Sequence, residues 1–294
     1  MRLINTKSRK FMEYVGDNVP PYAILSHTWE EGEEVTYQEF LARSNLHKKG
    51  WEKIWKACEL AEEHEISLVW VDTCGIDKSS SAELSEAINS MYQWYKKSQI
   101  CFAFLSDWSE SDDTIESMRH CRWFTRGWTL QELIAPATVL FFDKYYTLRG
   151  SKESLVDSLA DVTAVDRRLL RGLNSLADFS VAQKMSWAAN RQTTRKEDQA
   201  YSLLGIFDIN LPLLYGEGEK AFRRLQEEII RTTVDLSIFV APKPALCCIQ
   251  ILQHPTLSTR IYRYPLQLLL YLITMRCPFL SRACTACANL GDTS

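Results

Sequence analysis

Four short, almost unbroken apolar runs constrain this chain more than any other feature. They are Tyr22-Ala23-Ile24-Leu25-Ser26, Ile66 to Val71, Gln99 to Leu105, and Val139 to Phe142. A half-exposed strand alternates apolar and polar residues. A strand that is apolar at successive positions must be covered on both faces. A parallel sheet between two layers of helix provides that cover. The intervening stretches have the helical period. Trp51, Ile54, Trp55, Cys58 and Ala61 fall on one stripe, and Ser81, Leu84, Ala87, Ile88, Met91, Tyr92 and Tyr95 on another. Ser80 and Glu83 are spaced as a capping box ahead of the second stripe. Trp128 to Ile134 predicts a third helix, stopped by Pro136. Residues 1–150 are therefore expected to form an α/β domain, a parallel sheet with helices on both faces.

Ligands of such sheets bind outside the carboxyl ends of the strands. Three of those ends carry polar clusters, Ser26-His27, Asp72-Thr73 and Ser106-Asp107, which should meet on one rim. Ser26, His27 and Trp29 could line a nucleotide pocket there, with Trp29 stacking on a base or a nicotinamide ring. Equally, His27 could cap a loop and Trp29 could be core. Asp72 could hold ribose hydroxyls or simply cap a helix. Arg122 and Arg126 could meet a pyrophosphate or form surface ion pairs.

Residues 151–240 read as a mostly helical region packing on that domain. Helices are expected over residues 152–159, 181–189, 195–204 and 218–230. After residue 240 the character changes. The last 54 residues hold only Lys243, Arg260, Arg263, Arg276, Arg282 and Asp292 as charges, but five of the nine cysteines (Cys247, Cys248, Cys277, Cys284 and Cys287). Residues 241–294 are expected to be a low-charge, Cys-rich, poorly ordered tail. Cys284 and Cys287 have no second close pair, so no metal site is expected.

Several function classes drop out. With 34 Lys+Arg against 37 Asp+Glu, the net charge of −3 advertises no nucleic-acid partner. The longest apolar-leaning stretch, Tyr264 to Met275, falls short of the ~20 residues that span a bilayer. The start of the chain lacks a signal-like apolar core, so the thiols are expected to be reduced and the location cytoplasmic. Walker, dinucleotide-fold, zincin and nucleophile-elbow motifs are absent.

Four segments together resemble the fungal heterokaryon-incompatibility (HET) domain. They are Tyr22-Ala-Ile-Leu-Ser-His-Thr-Trp29, Trp70-Val-Asp-Thr-Cys-Gly-Ile-Asp-Lys78, Ser81 to Met91, and Arg126-Gly-Trp-Thr-Leu-Gln-Glu-Leu-Ile-Ala-Pro136. A fifth stretch, Asn190 to Gly218, looks like the region that usually follows. Gly75 stands where a second Cys is expected. The HET domain in turn resembles TIR domains, which are flavodoxin-like, and some of which cleave the nicotinamide–ribose bond of NAD. Those enzymes carry a glutamate in a short helix after the third strand, often as Trp-Cys-Leu-x-Glu-Leu. Trp128-Thr129-Leu130-Gln131-Glu132-Leu133 matches that form. The resemblance therefore implies a flavodoxin/TIR-like sheet and Glu132 as the catalytic acid. Ser26, His27, Trp29, Asp72 and Arg126 are then candidate binding residues. NAD would be a substrate, with no cofactor required. The implied role is a programmed cell-death effector in non-self recognition. Self-association is expected, and a nucleotide-binding-switch protein is a candidate signalling partner. The alternative is a non-enzymatic module acting by homotypic contact.

Overall fold

The computed structural model describes residues 1–16, 18–109 and 115–240. All four apolar runs are strands. β3 (Ala23–His27), β4 (Leu68–Trp70), β5 (Ile100–Phe104) and β6 (Val139–Phe142) form the centre of one sheet. Every residue of β3, β4 and β5 is buried, which accounts for their lack of alternation. Three further strands complete the sheet: β1 (Arg2–Asn5), β2 (Phe11–Glu13) and β7 (Leu148–Ser151). The order is β2-β1-β4-β3-β5-β6-β7. Pairings among β4, β3, β5 and β6 are parallel, and the β1 and β7 pairings are antiparallel. Counted alone, the four parallel strands run second-first-third-fourth, the flavodoxin-like order. The chain reverses its direction across the sheet between β3 and β5. There Ser26 pairs with Ala103 and His27 with Phe104.

Helices α1 (Tyr37–Ala42) and α2 (Lys49–Glu63) lead from β3 to β4. α2 buries Trp51, Ile54, Cys58 and Ala61 of the stripe its sequence predicts; Trp55 is half-buried, and Ala57 is buried as well. α3 (Asp72–Gly75) and α4 (Ser81–Lys97) connect β4 to β5. Ser80 caps α4 by accepting from the Glu83 amide, but the reciprocal half of the capping box is missing. The Glu83 carboxylate instead accepts from the Asp77 amide at 2.7 Å and pairs with Arg2 of the edge strand. α5 (Ile115–Arg119), α6 (Arg122–Thr125) and α7 (Thr129–Ile134) lie between β5 and β6.

Beyond the sheet come α8 (Val156–Thr163), α9 (Arg167–Leu170), α10 (Val181–Ala188), α11 (Asp198–Tyr201), α12 (Leu204–Phe207) and α13 (Lys220–Thr232). The helix expected from residue 152 begins four residues later, because residues 148–151 pair with β6 as β7. The helix expected over 195–204 is interrupted, giving two single turns. The described chain divides into two compact units. The larger takes residues 1–178 and 190–231 and contains the whole sheet. The smaller includes residues 179–189 and 232–240; in it Asp235 and Ser237 accept from the first amides of α10 at 2.7 and 3.0 Å. Cys58, Cys74 and Cys101 are buried free thiols, and Cys121 is buried as well. The expectation for residues 241–294 lies outside the described residues.

Candidate functional site

Glu132 projects from α7 into the protein interior and is only 7% exposed. Leu130, Leu133 and Ile134 on the same short helix are buried too, so α7 is a core helix carrying one carboxyl. An isolated carboxylate in such surroundings is costly unless hydrogen-bonded. Ser26, at the carboxyl end of β3, donates its hydroxyl to Glu132. The same hydroxyl oxygen accepts from Trp123 Nε1 at 2.7 Å. Trp123 comes from α6 and is fully buried. Tyr95, from α4, donates to the Leu25 carbonyl at 3.2 Å and also reaches the Glu132 carboxyl.

Burial pushes the Glu132 carboxyl up to about 7, against the Ser26 hydrogen bond that favours the ionised form. The negative charge of Asp72 adds to the rise, and the positive charge of Arg126 opposes it. Glu132 therefore changes charge near neutral pH, as a group used in acid–base or electrostatic chemistry should.

Asp72 opens α3 directly after β4 without capping it, since Val71 is the cap residue and makes no side-chain bond. Asp72 Oδ2 accepts from Trp29 Nε1 at 3.0 Å. Asp72 Oδ1 is buried with no hydrogen-bond partner among the described residues, as is His27 Nδ1, and the two atoms lie 4.0 Å apart. On its other side His27 Nε2 meets Glu34 Oε2 at 3.2 Å. Glu34 Oε1 accepts from Lys53 Nζ at 2.6 Å, and Lys53 also donates to the Thr28 carbonyl at 3.1 Å. Burial raises the Glu34 carboxyl, but His27 and Lys53 more than reverse this, holding it at about 2. Lys53 sits on the buried side of α2, where hydropathy alone predicts no cation.

Trp29 is the open edge of this cluster, with 37% of its surface exposed. Lys78 Nζ lies 3.8 Å from its ring centroid and the Arg126 guanidinium 5.8 Å. Arg122 donates to the Trp29 carbonyl at 3.2 Å. A cationic rim thus surrounds an aromatic plate, beside a pair of carboxyls.

The structure brings all six sequence-derived residues into one region at the reversal point of the sheet. Their roles within it differ. Ser26 and His27 are buried and bonded to protein groups, so they hold other side chains in place. Trp29 and Arg126 face outward enough to touch a ligand. Sequence reasoning missed Tyr95, Thr129, Arg191 and the Glu34–Lys53 pair. Trp123 is a core residue whose indole N–H also fixes Ser26. A cavity of about 1160 Å³ lies elsewhere, along α4 and the strands β1 and β2. Tyr22, Glu83, Tyr92 and Gln99 line it, and none of the six site residues does. Among the described residues no group of three or more His, Cys, Asp or Glu is placed to hold a metal ion. No described helix is long and apolar enough to cross a membrane.

Residues 22–119 match the family described as "Heterokaryon incompatibility protein (HET)". That match includes Ser26, His27, Trp29 and Asp72 and stops before Arg126 and Glu132. The chain is also similar to the vegetative incompatibility protein HET-E-1 of Podospora anserina, with 48% identity over 220 residues. The alignment covers 72% of this chain and 16% of that protein, so the chain spans a small part of that relative's length. No solved structure matches.

Proposed function

This chain carries a heterokaryon incompatibility domain, and from that premise we propose that it is an effector of fungal vegetative incompatibility which triggers cell death by cleaving NAD in a TIR-like manner. The observation that carries the reading is Glu132: a buried carboxyl held by Ser26, poised at about 7, at the reversal point of a flavodoxin-ordered sheet.

The chemistry needs few groups. The C1′–N1 bond of NAD breaks with its electron pair leaving on nicotinamide, which departs neutral and needs no acid. Positive charge develops on the ribose as an oxocarbenium ion. An ionised Glu132 stabilises that charge, more strongly in a dry site than in water. Water then adds at C1′ and gives up a proton to the carboxylate, yielding ADP-ribose. Trp29 supplies a stacking face for a ring, and Arg126 with Arg122 supplies positive charge for the pyrophosphate. Asp72 is the second carboxylate in reach and is suited to ribose hydroxyls.

A second reading is favoured by one feature: Glu132 is almost closed to solvent, and the described cavity is elsewhere. In that reading the domain is a non-enzymatic module and kills through homotypic contact and partner recruitment. Under the enzymatic reading, self-association opens the rim. The test is nicotinamide release from NAD by the full-length chain at high concentration, with Glu132→Gln alongside, and cell death scored for both in a fungal host. Release and death by the wild type alone support the enzyme. Death by both, without release from either, supports the module.

A further inference from the structure

Residues 190–193 lie far along the chain from the helix that bears Glu132, yet they are laced to it. The Gln192 amide donates to the Thr125 carbonyl at 2.6 Å, and the Gly127 amide donates to the Gln192 carbonyl at 2.8 Å. Arg126 and Gln192 form an isolated parallel bridge. The approach is close enough to require glycine: a Cβ on Gly127 would sit 2.5 Å from Thr193 Cγ2 and 3.2 Å from Ser202 Oγ.

This bridge delivers a buried cation. Arg191 is 8% exposed. Its Nη1 donates to the Arg126 carbonyl and to Thr129 Oγ1, both at 2.9 Å and the latter across 62 positions of sequence. Thr129 in turn donates to the Trp123 carbonyl. One guanidinium therefore fixes the turn between α6 and α7. Each of those helices sends one side chain to the same hydroxyl: Trp123 Nε1 donates to Ser26 Oγ, and Glu132 accepts from it. If the turn moves, the two partners of Ser26 move relative to each other. Burying an arginine is expensive and calls for a compensating anion or dipoles. The two acceptors supply the dipoles, and the negative charge of Glu132 favours the charged guanidinium.

We propose that Arg191 is a positioning residue of the Glu132 site: it sets the turn that seats Glu132 on Ser26. This rests on the reading of Glu132 as the working acid. It also assigns part of the site to a segment outside the matched residues 22–119. Lysine is a poor substitute, because its ammonium sits on a shorter, flexible stem and lacks the planar guanidinium that fixes the direction of both N–H groups.

The experiment is a titration of the Glu132 carboxyl in the full-length chain. Infrared difference spectra against Glu132→Gln isolate its band in wild type, Arg191→Gln and Arg191→Lys. Thermal melts verify that each variant is folded. The expected result is an upward displacement of about one pH unit in Arg191→Gln, a roughly tenfold smaller ionised fraction at neutral pH. Arg191→Lys should fall between the two, and it carries the test if Arg191→Gln does not fold. A folded variant whose Glu132 titrates as in wild type overturns the proposal. If the wild type releases no nicotinamide, the NAD reading fails while this titration still decides the role of Arg191. If it does release nicotinamide, the rise of kcat with pH shifts by the same amount and KM does not change.

Discussion

Replacing Glu132 by Gln should change stability in a way that depends on pH, with a sign the structure fixes. The folded protein raises this carboxyl from 4.5 to about 7. Between those values the native state holds a proton that the unfolded chain has released. Stability therefore falls as pH rises through that window, and above it the full cost of an ionised buried carboxylate is present. A gap of about 2.5 pH units, at ~1.36 kcal/mol each, is worth about 3 kcal/mol. Gln cannot ionise and can still accept from Ser26, so the variant escapes that cost. At pH 4.5 the two proteins should differ only by the loss of a carboxyl O–H and the gain of an amide N–H₂. By pH 8 the variant should have gained about 3 kcal/mol relative to wild type. Urea unfolding at pH 4.5, 6, 7 and 8, followed by tryptophan fluorescence, measures this. Titrating groups that do not act on Glu132 are common to both proteins and cancel in the difference. A difference that stays constant across the four pH values would falsify the claim that Glu132 titrates near neutrality inside the fold. It would remove the main physical support for its catalytic role as well.

Ser26→Ala removes the donor to Glu132 and leaves Trp123 Nε1 buried without its acceptor. A loss of about 1–3 kcal/mol is expected, and the rise of nicotinamide release with pH should move to higher pH; an unmoved profile refutes the contact. Trp29→Ala should melt close to wild type because Trp29 is partly exposed, but KM for NAD should rise about tenfold if the ring stacks on the substrate. An unchanged KM takes Trp29 out of the site. Gly205→Ala would place a Cβ 2.0 Å from the Cβ of Tyr92 and push α12 off α4. A loss of about 1–3 kcal/mol in thermal unfolding is expected, and a neutral outcome would show that the two helices are less tightly apposed than described. Gly127→Ala should part the 190–193 bridge and shift the Glu132 titration upward, in the same direction as Arg191→Gln.

The central strands were legible because burial on both faces leaves a continuous apolar trace. The edges were not. β1 reads Arg-Leu-Ile-Asn and β7 reads Leu-Arg-Gly-Ser, short mixed segments whose pairing depends on a neighbour already being in place. Glu132 stands out through the motif around it, and its apolar neighbours Leu130, Leu133 and Ile134 account for the burial that raises its pKa. The role of Ser26 was harder to see. Its position at a strand end suggests contact with a ligand, yet its hydroxyl is taken up by Trp123 and Glu132, partners 97 and 106 positions away. Lys53 and Arg191 left no trace, because a cation buried by hydrogen bonds looks the same in sequence as one on the surface.

The distance along the chain between the parts of the site has a consequence for protein synthesis. Glu132 cannot be seated until Ser26, Trp123 and the bridge at residues 190–193 are all present. At ~5–20 residues per second, a ribosome takes about 8–33 s to pass from Ser26 to Arg191, and the segment must then clear the exit tunnel. At the end of that time every strand of the sheet has been synthesised, but the Glu132 site is still unassembled. Chains that stall or are cleaved before residue 190 lack the bridge and cannot complete the hydrogen bonds that fix the turn before Glu132.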